Sequence, residues 1–325
     1  MRVLITDHDF ADLSAEQAVF GPAGVELAVA DLRDPDTVAA RAVGFDGLLV
    51  QFAPITAAVV DRLDHCRVIA RYGVGVDTID IPAATRRGII VCNVPTYCTT
   101  EVADHAMALL LALARRVVAL EAEVRQGTWD VYHSSRGIAR LGGRTLGLIG
   151  FGRIGQAVAR RAQAFDLRVL VYDPYVEEAA VQRAGARPAA LDELLRRADF
   201  VSLHAPLTAE TYHLIGVREL GLLRPTAYVI NTARGPLVDG VALAAALGDG
   251  RLAGAALDVT EQEPLPAASP LRTAPNLILT PHAAFYSQQA YADLHRLAAE
   301  AVLDVLQGRP PAGVVNPEVL PGSRK

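Results

Sequence analysis

Lysine is nearly missing from this chain. The only one is Lys325, so arginine carries almost all the positive charge. We read that as a bias of composition without functional content. The net charge is −5, which calls for neither a nucleic acid nor an anionic membrane as partner. Cysteine is scarce as well. Cys66, Cys92 and Cys98 form an odd, sparse set whose spacing suits neither a disulfide framework nor a zinc site. They are expected to be reduced thiols of a cytoplasmic protein, with no metal centre. No secretory leader is expected: "MRVLITDHDF" has one positive charge and a short apolar run, and reads as a first strand. The longest apolar stretch, "AMALLLALA" (106–114), is too short to span a bilayer and is flanked by Asp104, Arg115 and Arg116. Short-period repeats and low-complexity segments are also absent.

What remains is ample for a packed core. The 325 residues are 51% hydrophobic and 21% charged, and the length suggests about two domains. Short β-branched runs alternate with segments of helical spacing. "RVLIT" (2–6), "GLLV" (47–50), "RVIAR" (67–71) and "IIVCN" (89–93) read as buried strands. From Glu101 the spacing predicts one long helix, apolar nearly all round in its middle and ended by Gly127. A second series follows: "RTLGLIG" (144–150), "RVLVYD" (168–173), "DFVSLH" (199–204), "AYVINT" (227–232), "LAGAALDV" (252–259) and "NLILT" (276–280). Helices are expected at 153–165 and 239–250, and a last one from about Ser287 to Gly308. The expected class is α/β, with parallel sheets covered on both faces; one βαβ unit precedes residue 100 and a larger one fills roughly 100–285.

"GLIGFGRIG" places Gly150, Gly152 and Gly155 as GxGxxG between a strand and a helix, with Arg153 and Ile154 opening that helix. Gly150 permits the tight turn, Gly152 lets backbone approach a pyrophosphate, and Gly155 lets helix and strand pack closely. The helix N-terminus turns unpaired N–H groups towards the phosphates. Asp173 stands at the end of the next strand, where a carboxylate accepts both ribose hydroxyls and repels a 2′-phosphate. The expected cofactor is NAD, in preference to NADP. A glycine turn with a capping aspartate is the plain alternative.

Other strand ends of this half also carry polar groups. "VINTARG" ends at Thr232 and Arg234, "ALDVTEQEP" runs from Asp258 to Glu263, and "LTPHAAFYSQQA" holds Thr280 and His282. Arg can fork onto a carboxylate and polarise the adjacent oxygen, and His exchanges protons near neutral pH. Glu can hold the other imidazole nitrogen and favour the protonated ring. Together they suit hydride removal from, or addition to, a 2-hydroxyacid/2-oxoacid pair. Taken singly, Arg234 reads as a turn arginine, Glu263 as a solvated loop acid and His282 as a histidine packed at a strand end.

These segments resemble the D-isomer-specific 2-hydroxyacid dehydrogenase family, through "RYGVGVDTID" (71–80), "EVADHAMALLLALAR" (101–115), "LGLIGFGRIGQAVARRAQAF" (146–165), "HAPLTAETYHLI" (204–215), "NTARGPLVD" (231–239), "GAALDVTEQEP" (254–264) and "TPHAAFYS" (280–287). "PHAAFYSQQA" and "NVPTYCTTEVAD" resemble its C-terminal-binding-protein branch most. The resemblance implies two Rossmann-like doubly wound domains: a discontinuous substrate domain (1–99 and 286–325) and an NAD domain (100–285). It implies Arg234 on the substrate carboxylate, His282 as general acid/base and Glu263 as its partner. Val74 and Gly75 would hold the carboxylate by backbone amides. Asp258 would lie near the nicotinamide carboxamide, His204, Pro206 and Thr211 on the adenosine side, and Thr232 and Ala233 on the nicotinamide side. The helix from Glu101 and the loop with Trp129 would build a homodimer interface. "AAFYS" replaces the glycine-rich turn common in the family, so Phe285 and Tyr72 are expected to shape the substrate pocket. A small 2-oxoacid or 2-hydroxyacid is the expected partner. The branch also allows a corepressor-like NAD-binding protein with little turnover.

Overall fold

The computed structural model describes residues 1–320. The chain divides into two units, Met1–Cys98 together with the chain from Ser287 onward, and Thr99–Tyr286.

The first unit is a five-stranded parallel sheet in the order β2-β1-β3-β4-β5. Its strands are β1 (Arg2–Ile5), β2 (Glu26–Val29), β3 (Gly47–Val50), β4 (Val68–Arg71) and β5 (Ile90–Cys92). β3 lies at the centre and is buried throughout, as a strand covered on both faces must be. The helix Gln288–Leu306 covers one face. It is capped by Ser287, whose Oγ accepts the Ala290 N–H at 2.9 Å. It can approach the sheet because β3 starts with glycine: a Cβ on Gly47 would stand 3.0 Å from Val302 Cγ1.

The second unit is a seven-stranded parallel sheet in the order β12-β11-β10-β9-β6-β7-β8. The strands are β6 (Thr145–Ile149), β7 (Arg168–Tyr172), β8 (Arg187–Pro188), β9 (Phe200–Leu203), β10 (Tyr228–Asn231), β11 (Gly254–Leu257) and β12 (Leu277–Leu279). Strand order reverses between β6 and β9, which flank each other and run off to opposite edges. In open α/β sheets ligands bind at such a switch point, outside the carboxyl ends of the strands.

Two features depart from the sequence reading. The single helix expected from Glu101 to Gly127 is two helices, Thr99–Ala114 and Val117–Arg125, broken where Arg116 adopts φ 52°. The first buries eight residues in the core, whereas the second buries none. Strands β2 and β8 were not expected. Both are edge strands with no fully buried residue, and β8 is only two residues long. Among the described residues no helix is long and apolar enough to cross a membrane, and no group of His, Cys, Asp and Glu could hold a metal ion. All three cysteines are buried and none forms a disulfide among the described residues; burial pushes the Cys66 and Cys92 thiols up to about 12.

Candidate active site

β10, β11 and β12 are neighbours in parallel register, with Asn231 beside Leu257 and Leu257 beside Leu279. The segments that follow them therefore leave one edge of the sheet. After β10, the buried Asn231 side chain folds its own turn: Oδ1 accepts the Ala233 N–H at 3.0 Å and Nδ2 donates to the Arg234 carbonyl at 2.8 Å. The Arg234 guanidinium donates to the Ala233 carbonyl at 2.7 Å. The next residue must be glycine, because a Cβ on Gly235 would fall 2.0 Å from the Thr260 carbonyl. The Arg234 turn thus leans directly on the loop after β11. In that loop the Thr260 N–H donates to Glu263 Oε1 at 3.0 Å, and Glu263 Oε2 lies 2.7 Å from His282 Nδ1. Burial pushes the Glu263 carboxyl up. The hydrogen bond and charge of His282, with the Thr260 N–H, outweigh burial and hold it below its usual value. Both side chains stay about 40% open, at 38% and 39%, so a ligand can reach the pair.

His282 is held by its backbone as well. It sits at φ 53°, a conformation that costs a non-glycine residue about 1–3 kcal/mol and persists only when its surroundings impose it. Its N–H donates to the Asp258 carbonyl at 2.7 Å. The enclosed Asp258 carboxylate grips the same loop at three points: Oδ1 accepts Thr280 Oγ1 at 2.6 Å and the Ala283 N–H at 2.9 Å, and Oδ2 accepts the Ala284 N–H at 2.9 Å. His105 Nε2, from the helix Thr99–Ala114, lies 3.1 Å from Thr280 Oγ1. The Phe285 ring stands edge-on to His282 with centroids 6.2 Å apart. Asp258, expected beside the nicotinamide carboxamide, thus has both oxygens engaged within the His282 loop. The sequence reading passed over His105, whose one signal is a histidine set in an apolar helix.

At the switch point, Gly150 has φ 93°, and a Cβ there would stand 2.6 Å from the Ala205 nitrogen. A Cβ on Gly155 would stand 2.3 Å from the Gly150 carbonyl oxygen. Around Gly152 nothing lies within 4 Å. Gly152 is the N-cap of the helix Arg153–Ala164 and offers no side-chain cap, so the first N–H groups of that helix are left to a ligand. Arg153 is exposed and Ile154 half-buried on that first turn. Asp173, after β7, orders the turn by accepting the N–H groups of Phe151 at 2.8 Å and Tyr175 at 2.9 Å. An open glycine, an uncapped helix start and a carboxylate on the adjacent strand fit a dinucleotide. His204 follows β9 and shares a 2.9 Å hydrogen bond with Ser202 Oγ; burial lowers it to about 4, so it is neutral at physiological pH. Thr211 Oγ1 donates to the Pro206 carbonyl at 2.8 Å, which fixes the following loop. The Thr232 hydroxyl, next to Ala233, is buried without a partner.

Residues 107–284 match the family described as D-isomer specific 2-hydroxyacid dehydrogenase, NAD binding domain. The chain belongs to that family. It is 46% identical over 272 residues to a glyoxylate reductase of Korarchaeum cryptofilum, covering 82% of this chain and 81% of that one. Among solved structures it is similar to the TT0316 protein of Thermus thermophilus, with TM-score 0.86 and 40% identity over 97% of this chain and 100% of that one. It is also similar to the D-lactate dehydrogenase of Aquifex aeolicus complexed with NAD and lactic acid, with TM-score 0.85 and 28% identity over 97% and 99% of the two chains. The protein is an NAD-dependent D-2-hydroxyacid dehydrogenase.

The substrate residues expected in the first unit of the dehydrogenase divide. Val74 is exposed, and its carbonyl is held by Asn93 Nδ2 at 2.5 Å. Gly75 follows it on the same loop, half-buried. Tyr72 does not line a pocket. Its ring is 2% exposed, and its hydroxyl donates to Glu16 Oε1 at 2.7 Å, in a core cluster with His295, whose Nδ1 lies 2.6 Å from the same oxygen. Tyr72 reads as a pocket wall only while Glu16 and His295 are unseen, for they take up its polar end. Burial pushes the Glu16 carboxyl up, but the hydrogen bonds from His295 and Tyr72 outweigh it and leave the group below its usual value.

Proposed function

We propose that this dehydrogenase reduces a small 2-oxoacid of the glyoxylate class to the 2-hydroxyacid, with NADH as reductant, in a cytoplasmic homodimer. The observation that carries the reading is the Glu263–His282 pair at 2.7 Å, one strand away from the Arg234 turn. The name of the relative from Korarchaeum cryptofilum supports the substrate class. With Nδ1 committed to Glu263, His282 has Nε2 left to give a proton to the C2 oxygen. Arg234 binds the substrate carboxylate and polarises the carbonyl. Phe285 bounds the substituent on C2. The bound nicotinamide supplies the hydride. The residues that would hold the whole dinucleotide are Gly150, Gly152, Arg153, Ile154, Gly155, Asp173, His204, Pro206, Thr211, Thr232 and Ala233.

A panel of 2-oxoacids from glyoxylate to bulky and phosphorylated acids, assayed with NADH and NADPH, tests the substrate reading. Glyoxylate with NADH is expected to give the highest kcat/KM. His282→Ala should lower kcat by about 10²–10⁴-fold. Arg234→Ala should lower kcat/KM sharply, and both variants should keep NADH affinity. Full activity in either variant would sink the role given to it. Tight NADH binding without turnover of any acid would favour a partner-binding protein of the C-terminal-binding-protein type.

A further inference from the structure

The catalytic reading uses His282, Glu263 and Arg234. It leaves unexplained why His282 stays in a left-handed conformation, which is uncommon for any residue but glycine. The residues that impose this geometry lie beneath it. Asp258 offers two carboxylate oxygens and receives three donors from the loop: Thr280 Oγ1, Ala283 N–H and Ala284 N–H. The loop from Thr280 to Ala284 is thereby fastened at both its ends, with His282 between them.

The protons available then fix the role of His105. A threonine hydroxyl has one proton to give. At 2.6 Å from a carboxylate oxygen that also accepts an amide N–H, Thr280 donates that proton to Asp258. Towards His105, 3.1 Å away, Thr280 Oγ1 can only accept. His105 must therefore carry its proton on Nε2. The same nitrogen stands 3.5 Å from Asp258 Oδ1, so a proton there also faces the carboxylate's charge. We infer that His105 is a positioning residue for the acid/base His282: by donating from Nε2 to Thr280, it anchors the Asp258-held loop to the helix Thr99–Ala114. It touches neither substrate nor cofactor in this role, which rests on the proposed catalytic function of His282.

Three variants separate donation from packing. His105→Phe keeps a ring of similar size and removes the donor. His105→Gln places an amide N–H near the position of Nε2. Thr280→Val keeps the shape of the threonine and removes the hydroxyl that joins His105 to Asp258. His105→Phe and Thr280→Val are each expected to lower kcat by about 10–100-fold, the scale of a misplaced catalytic group. KM for NADH should change less than about twofold, because the loss lies in orientation and not in binding. His105→Gln should recover most of kcat. The double variant His105→Phe/Thr280→Val should be no worse than the weaker single one, since both cut one chain of bonds. Wild-type kcat in His105→Phe, equal losses in the Phe and Gln variants, or additive losses in the double variant would each overturn the inference.

A second readout does not depend on turnover. In the NAD-free protein, the imidazole ¹⁵N signals of His282 should report one tautomer in the wild type and in His105→Gln, with the proton on Nδ1 facing Glu263. In His105→Phe they should move towards a tautomer mixture. Unchanged signals in the Phe variant overturn the inference. If the wild type reduces no oxoacid, the catalytic reading fails, yet these signals still decide whether His105 holds His282.

Discussion

Gly152 and Gly155 belong to one motif yet answer to different neighbours. A Cβ on Gly155 would meet the Gly150 carbonyl at 2.3 Å, so that glycine serves the packing of helix on strand. Gly152 has open space around it and φ −69°, which alanine adopts freely. Only a ligand would demand that it lack a side chain. Gly152→Ala should therefore leave stability within about 0.5 kcal/mol of wild type. Its NADH affinity should fall by at least about tenfold, a loss of about 1.4 kcal/mol. Gly155→Ala should lose stability instead. Thermal unfolding beside an NADH titration distinguishes the two, and a Gly152→Ala protein that binds NADH normally would refute the pyrophosphate contact. At this scale the sequence showed residue types and strand ends, so Arg234, Glu263, His282 and Asp173 could be named. It could not show what holds them. His105 and Thr280 are 175 positions apart, and Glu16 and His295 are 279 apart, and only the fold brings such pairs together.

Among the elements, the central strands were legible because a strand covered on both faces must be apolar throughout. The edge strands Glu26–Val29 and Arg187–Pro188 escape that demand: neither buries a residue fully, and the second is only two residues long. The break between Thr99–Ala114 and Val117–Arg125 was hidden for a different reason. No glycine or proline marks it; an arginine, Arg116, takes φ 52°. Its side chain offsets part of the cost, donating to the Arg136 carbonyl at 3.3 Å and lying 3.8 Å from Glu123. The left-handed conformation costs a side-chain-bearing residue about 1–2 kcal/mol. Arg116→Gly is thus expected to match or exceed wild-type stability despite losing both contacts, and Arg116→Val, β-branched in the same conformation, to fall below it. Denaturant midpoints of the two variants give the comparison, and a Val variant as stable as the Gly variant would mean that the helix is continuous in solution.

For the molecule as a whole, the second of those helices and the segment after it, which includes the short helix Val131–Ser134, expose apolar surface. Val117 and Val118 are each 54% exposed, Trp129 88%, Val131 64% and Tyr132 89%. Apolar residues grouped in this way mark contact surfaces. They support the proposed homodimer, as does the family resemblance of this segment. Light scattering on the purified protein should give twice the chain mass of 34.5 kDa. Val118→Glu/Trp129→Glu should give the single mass, and a wild-type monomer would count against the assignment. The chain path has a consequence of another kind, for synthesis. Thr99–Tyr286 is one uninterrupted stretch, whereas the five-stranded unit needs the helix Gln288–Leu306 laid against β3, β4 and β5. On the ribosome, the unit that starts first is therefore the one that finishes last. Its half-built apolar face must wait, uncovered, while the whole nucleotide unit is translated through the middle of it.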